Sequence, residues 1–499
     1  MPKFILSIDQ STSGTKAILF DDAGGVFARH DLPHRQLVDD RGWVEHDPDE
    51  IFHNLLGAVS GVLARSGIDP ADVAGAAISN QRETAIAWDR RSGEPVHNAI
   101  VWQCARGEAI CRRISNEGCA EAIRRSTGIP LSPYHSAAKL AWILENVGKA
   151  KSLAAAGGLC CSTMDAWLVF KLCGGTPQTE YANASRTQLF NISTLEWDAE
   201  ACGWFGLDPS WLPEVGDSNR LFGYTDFGGL LPEPAPLHAV LGDSHGALYG
   251  QGCTAPGSIK ATYGTGSSVM MNIGNKPLFS DRGVVTSLAW GIDGRVDYVF
   301  EGNLNYTGAV IRWLVEDIKL IADPREAEAL ARNARDVPGL YLVPAFSGLG
   351  APYWDSGARG IVCGLSRAVG KAELVRAAEE CIAYQITDLV KIMERDAGFG
   401  VGALRVDGGA TRDDFLMQFQ SDLLDAVVEV PAFEELSASG PAYLAGLALG
   451  IYAKSGLKRS VKTGYEPRMS SKERERRYGG WLGAIGKVLI NGGKANGQP

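Results

Sequence analysis

The first apolar run, residues 4–8, ends in Asp9 and Gln10, passes through the small-residue segment STSGT and resumes over 16–20 before DDAGG. Two extended segments around a Gly/Ser/Thr turn predict a β-hairpin whose tip exposes hydroxyls and backbone amides. A helix start follows at Asp47, read as the N-cap, with Pro48 in the first helical position and Glu50 placed to close a capping box. Apolar spacing over 51–63 continues this helix, and residues 73–79 read as a strand that ends in the polar group 80–84.

The pattern partly returns in the second half. Residues 259–263 run into YGTGSS and 269–273 leave it, a second strand, turn and strand with a small polar tip. Residues 403–406 run into DGGAT, and an amphipathic helix is expected through Leu424. Between them, 369–393 carry apolar residues at helical spacing. Strands alternating with helices predict an α/β core with ligands at strand ends. A boundary near 245–255 divides the chain into 1–250 and 251–499. From about residue 463 the charged run SSKERERR reads as a solvated helix edge, and the closing NGGKANGQP as a frayed end.

Composition narrows the partners. The 499 residues suit two or three domains, and 48 Lys plus Arg against 58 Asp plus Glu give a net charge of −10. With no basic stripe to compensate, nucleic acid is not expected as a partner. No apolar run approaches membrane-spanning length, and the N-terminus lacks the apolar core of a signal peptide, so a cytoplasmic protein without membrane insertion is expected. The ten cysteines form no CxxC pair and read as buried thiols. Glycine is in excess: 60 of 499 residues, about 12% against a usual value of roughly 7%, with no triplet period.

Five of these glycines sit in three turns behind strands, SIDQSTSGT, YGTGSS and VDGGATRDD. Bare backbone lets a polyphosphate approach and lets amides surround its anionic oxygens; each turn taken alone reads first as a tight turn, and the three together, flanking aspartates, shift that balance. None matches a P-loop or a dinucleotide fingerprint. Asp9 closes a strand in front of the first turn, where a carboxylate can orient magnesium and its waters beside phosphates. Asp243 ends the run HAVLG at a strand-to-helix junction, where it can take a proton from an attacking hydroxyl. Both also fit as caps or turn formers. Arg82 and Glu83 form a second polar pair at a strand end, readable as hydroxyl ligands or as a surface ion pair. Trp102 and Trp142 can stack on a ligand or fill a core. His245 has no Cys or second His at ligand spacing, so no metal role is assigned to it.

At these residues the chain resembles the FGGY family of carbohydrate kinases, and within it the glycerol kinase branch. The likeness runs from FILSIDQSTSGTKAILF through GWVEHDP, SNQRET, NASRTQLFNI, YGTGSS, LVPAFSGLGAPYWD and RVDGGA to RRYGGW, with YHSAAKLAW and GLSRAVGKAELVRAAEECIAYQ similar to the two family signatures. The resemblance implies an α/β fold of two ribonuclease-H-like domains, as in actin and the hsp70 ATPase, around a central cleft. It implies ATP and Mg2+ as cofactors and a small polyol or sugar as substrate, and leaves open a homodimer or homotetramer. On the matching positions, Arg82, Glu83, Tyr134 and Asp243 would hold the polyol, with Asp243 as base and Trp102 over the carbon backbone. Thr12, Ser13, Thr265, Gly308 and Gly409 would touch the nucleotide, and Asp9 would orient the magnesium through water.

Four positions depart from the branch. Ser244 replaces a glutamine after the base and Ser268 a phenylalanine beyond GTG, both removing volume from the polyol site. An enlarged pocket would favour a four- or five-carbon polyol or ketose over glycerol. On the nucleotide side, Arg312 stands for a glutamine and Asp413 for an asparagine.

Overall fold

The computed structural model describes residues 3–453 and 461–489. Its two main sheets repeat one plan. In the first, Phe4–Gln10 and Gly14–Phe20 form the expected antiparallel hairpin, Val26–Pro33 extends it, and Val73–Asn80 lies parallel on the other side of Phe4–Gln10. Ala235–Gly242 then adds parallel to Val73–Asn80, and Leu221–Thr225 closes that edge antiparallel. In the second sheet, Ile259–Tyr263 and Ser267–Gly274 form the hairpin, Arg295–Leu304 extends it, and Ala403–Asp407 and Val427–Pro431 add in parallel. Fully buried strands such as Phe4–Gln10 follow from continuous apolar sequence that must be covered on both faces. The helix Lys371–Ala397 covers the second sheet, with Ile382, Ile386, Leu389 and Met393 in its core. This is the doubled α/β architecture expected from the resemblance.

A further sheet, built from Leu37–Val38, Val44–His46, Ala85–Asp89, Ala99–Ile100 and Leu159–Thr163, lies within the first half and carries the segments that bring Trp102 and Tyr134 to the cleft. The two halves meet where helix Asp243–Gly250 crosses helix Leu436–Ala448. The crossing requires glycine: a Cβ on Gly440 would stand 2.1 Å from the Gly246 carbonyl oxygen, and one on Gly246 would stand 2.3 Å from that of Ser437. Ser7 Oγ donates to the Ala438 carbonyl at 2.8 Å, tying the same helix to the first strand. Gly440→Ala is expected to cost about 1–3 kcal/mol through overpacking, read as a lower urea midpoint at unchanged m-value.

Three expectations need correction. Asp47 caps helix Pro48–Ser66 by accepting from the amides of Asp49 and Glu50, but Glu50 does not close a capping box. Its carboxylate instead accepts from Arg35 N and Nε, each at 3.0 Å, and pins the strand connection to the helix start. The charged tail is more than a solvated edge. Helix Ser471–Gly486 buries Trp481 completely, and Tyr478 Oη and Trp481 Nε1 donate to Asp388 at 2.8 and 2.9 Å. The aromatic face was masked in sequence by the surrounding arginines and glutamates; residues 491–499 lie outside the described residues. Finally, seven thiols are buried, but Cys119, Cys173 and Cys363 are partly exposed. Among the described residues, no helix is long and apolar enough to cross a membrane.

Candidate active site

The cleft is built from strand ends. Asp9 stands near the end of Phe4–Gln10 and is only 5% exposed. Burial, only partly offset by Lys16, pushes its carboxyl up to about 6, and Asp243 and Glu435 add to the rise. Its Oδ1 is buried with no hydrogen-bond partner, while Oδ2 lies 3.6 Å from Lys16 Nζ. An unpartnered, desolvated carboxylate oxygen suits a hydrated cation. Among the described residues, no group of three or more His, Cys, Asp or Glu is arranged to grip a metal.

Asp243 begins the helix that follows Ala235–Gly242, and its side chain remains about one-third exposed. Oδ1 accepts from the Ser244 amide at 2.6 Å and faces Arg82 Nε at 3.3 Å. Arg82 and Glu83 follow the strand Val73–Asn80, which lies between the strands of Asp9 and Asp243. Both side chains are buried, so the surface ion-pair reading of this dipeptide is excluded. Trp102 Nε1 donates to Thr12 Oγ1 at 2.9 Å, and its ring meets that of Tyr134 edge-on at 5.5 Å between centroids. Burial pushes the Tyr134 phenol far up, keeping it neutral. Trp142 packs on Trp43 and Arg106, as the packing reading expects.

The turns take shape as expected of bare backbone. Ser11 N donates to Gly14 O at 2.9 Å and leaves Ser13 exposed at the tip. Thr265 is exposed in the second turn, and the start of helix Gly308–Glu316 folds onto it: Gly308 N reaches Gly264 O at 3.0 Å and Ala309 N reaches Thr265 O at 3.0 Å. A Cβ on Gly308 would stand 2.5 Å from Gly264 O. Gly409 is exposed in the third turn, whose preceding Gly408 has φ +97° and passes close over Tyr263.

The departing residues are distributed differently. Ser268 belongs to a cross-strand row formed by Asp407, Thr262, Ser268 and Asn303, and its Oγ is buried without a hydrogen-bond partner. Both ring nitrogens of the buried His245 are likewise without a partner. Arg312 is well exposed and lies 3.5 Å from Glu316 on its own helix. Asp413 caps helix Asp414–Leu424 through the Leu416 amide at 2.8 Å, so one of its oxygens is engaged. Burial, and then the Asp413 carboxylate, push the adjoining Glu379 carboxyl upward.

Several participants were missed in the sequence. Lys16 lies between Asp9 and Glu435, 3.0 Å from the latter, and places a cation beside the first turn. Arg186 and Glu301 enclose Arg82 and Glu83. Lys139 is fully buried and donates to the carbonyls of Tyr134 and, at 2.8 Å, His135; burial pushes its amine down to about 7. The signal was a charged residue inside an apolar run, as in YVFEGNL and SAAKLAW, since such a group must find partners on burial. A separate cavity of about 850 Å3, between the 108–133 region and 279–286, contains none of the residues assigned above.

Against known proteins, residues 4–250 match the N-terminal domain, and 259–449 the C-terminal domain, of the FGGY family of carbohydrate kinases. The chain belongs to this family. It is an ATP-dependent carbohydrate kinase. It is 47% identical to glycerol kinase 1 of Thermotoga maritima over 490 residues, 97% of this chain and 99% of that one. It is 44% identical to a glycerol kinase of Alkaliphilus oremlandii over 98% of each chain. Among solved structures, Plasmodium falciparum glycerol kinase with ADP superposes with a TM-score of 0.92 at 34% identity, covering 98% of this chain and 99% of that one.

Proposed function

We propose that this FGGY kinase transfers the γ-phosphoryl group of ATP to a terminal hydroxyl of glycerol. The observation that carries the reading is the placement of Asp243: a partly exposed carboxylate at a helix start, beside Arg82 Nε and close enough to Asp9 to raise its carboxyl. Arg82, Glu83 and Tyr134 bind the polyol hydroxyls, and Trp102 covers its carbon backbone. Asp243 takes the proton from the attacking oxygen as that oxygen approaches the γ-phosphorus in line with the leaving ADP. Thr12, Ser13, Thr265, Gly308 and Gly409 present hydroxyls and bare backbone to the phosphates, while Lys16 adds a positive charge at the first turn. Arg312 and Asp413 lie on the nucleoside side. Magnesium, held by Asp9 through water, supplies charge neutralisation on the phosphate oxygens when bound. Residues 1–250 then form the polyol domain and 251–499 the nucleotide domain. The high identity to glycerol kinases over the full length supports glycerol as acceptor.

A second reading, a four- or five-carbon polyol or ketose, is favoured by one set of observations. Ser268 Oγ and both nitrogens of His245 are buried polar atoms without partners, and Ser244 and Ser268 are small where the branch carries larger side chains. A substrate hydroxyl that reached such a group would be worth about 1–3 kcal/mol, or roughly 5–150-fold in selectivity. Steady-state kcat/KM across glycerol, erythritol, ribitol, xylitol, D-ribulose and D-xylulose decides between them. A glycerol optimum is expected, whereas an optimum at a longer acceptor establishes the second reading.

A further inference from the structure

Glu301 lies on strand Arg295–Leu304 in the second half of the chain and is fully buried. It accepts both ends of the Arg82 guanidinium, from Nη2 at 2.8 Å and Nη1 at 2.9 Å. Arg186 approaches from the other side, with Nη1 3.2 Å from Glu301 and Nε donating to Glu83 at 2.6 Å. Asn303 Nδ2 steadies Glu301 with a bond of 3.1 Å. Two cations and two anions thus form a closed group, and only Nε of Arg82 is left to face Asp243, at 3.3 Å.

A cluster of this kind is poorly explained by stability. Desolvating four charges costs about as much as their attraction returns, and apolar side chains of similar volume would serve as well. Its geometry has a specific consequence. A guanidinium is a planar fork that seeks a carboxylate with both prongs. Glu301 occupies those prongs. Without it, the carboxylates left beside Arg82 are those of Glu83 and of Asp243, the base, and Arg82 would leave the position from which it reaches a polyol hydroxyl.

We propose that Glu301 is a positioning residue of the polyol site, supplied by the half of the chain that carries two of the three phosphate turns, and that it couples polyol binding to nucleotide binding by holding Arg82 in place. Arg186 completes the device by setting Glu83 from the same cluster. Glu301 belongs to the sheet that contains the Thr265 turn, with Met270 opposite it in register and Ser267 opposite Leu304 at the strand end. Any shift of that sheet on nucleotide binding moves the carboxylate that orients Arg82.

This inference rests on the reading that Arg82 binds the polyol. The test is calorimetric titration of the full-length enzyme with glycerol, with and without a non-hydrolysable ATP analogue and Mg2+, together with steady-state kinetics. Wild type is expected to bind glycerol more tightly when the analogue is present. Glu301→Gln is expected to weaken glycerol binding about tenfold, to abolish the tightening by the analogue, and to leave the affinity for the analogue alone unchanged. Glu301→Asp, which keeps the charge but withdraws it by one methylene, is expected to restore part of the coupling, and serves if the Gln variant does not fold. Unchanged coupling in both folded variants overturns the proposal. So does a parallel loss of glycerol and analogue affinity that tracks a lowered Tm, since a purely structural role predicts it. Wild type that shows no glycerol-dependent transfer overturns the functional reading itself, a result distinguishable from either outcome in the variants.

Discussion

Asp243→Asn is expected to lower kcat for glycerol phosphorylation by about 10²–10⁴-fold, the range contributed by a positioned general base, with glycerol affinity changed by no more than a few fold. The split follows from the local bonds. An asparagine retains an oxygen to accept the Ser244 amide, and Arg82 keeps its two bonds to Glu301. The polyol ligands therefore stay in place while the proton acceptor is lost. Single-turnover transfer from labelled ATP separates chemistry from product release, and calorimetry measures glycerol binding to the same protein. A fall in kcat below about tenfold would remove Asp243 from the role of base. Equal losses in binding and turnover would instead assign it to holding the substrate.

The placement of Asp243 at a strand-to-helix junction was accessible from the chain because local grammar surrounds it, an apolar strand, a glycine, then an acidic residue opening a helix; its reading as a base rather than a cap came from the resemblance. The same holds for the place of Asp9 and for the three turns: two strand, turn and strand patterns and one strand, turn and helix recur in the structure almost to the residue. What the chain concealed were relations across long sequence separations. Arg82 and Glu301 are 219 residues apart, and nothing local in either segment names the other. Glu301 could have been flagged as a carboxylate in an apolar strand, but its partner depends on how two sheets face each other. The Glu50 expectation erred for the opposite reason. Its spacing fits a capping box, yet Arg35, brought near by the preceding strands, offers both its backbone amide and its charged guanidinium in place of one neutral amide. Tertiary contacts override local preference where a charged donor competes with a backbone one.

Asp9→Asn is expected to separate stability from activity. The Asp9 carboxyl is raised from an ordinary value of 3.8 to about 6 because burial opposes its charge more than Lys16 supports it. A group whose folded value is raised stabilises the fold below its unfolded value and loses that contribution as pH climbs through its folded value. Well below pH 3.8 the carboxyl is protonated in both states and costs nothing, and at pH 4 only a small part of the cost has appeared. Above about pH 6 the folded protein must hold the charge, at a cost of about 3 kcal/mol from a shift of roughly two units. An asparagine avoids this cost, so the unliganded variant is expected to melt several degrees higher than wild type at pH 8 and at nearly the same temperature at pH 4. Mg2+ with an ATP analogue reverses the order at pH 8, because only the carboxylate gains from a hydrated cation beside its unpartnered Oδ1. Phosphoryl transfer is expected to fall by at least about 10²-fold, the scale of losing an electrostatic contact to the transferring group. Thermal melts at the two pH values, with and without Mg2+ and analogue, test each part. A variant less stable than wild type at pH 8 without ligand would mean that Lys16 and its neighbours depend on the Asp9 charge for folding. A variant stabilised by Mg2+ and analogue as strongly as wild type would place the cation elsewhere in the cleft.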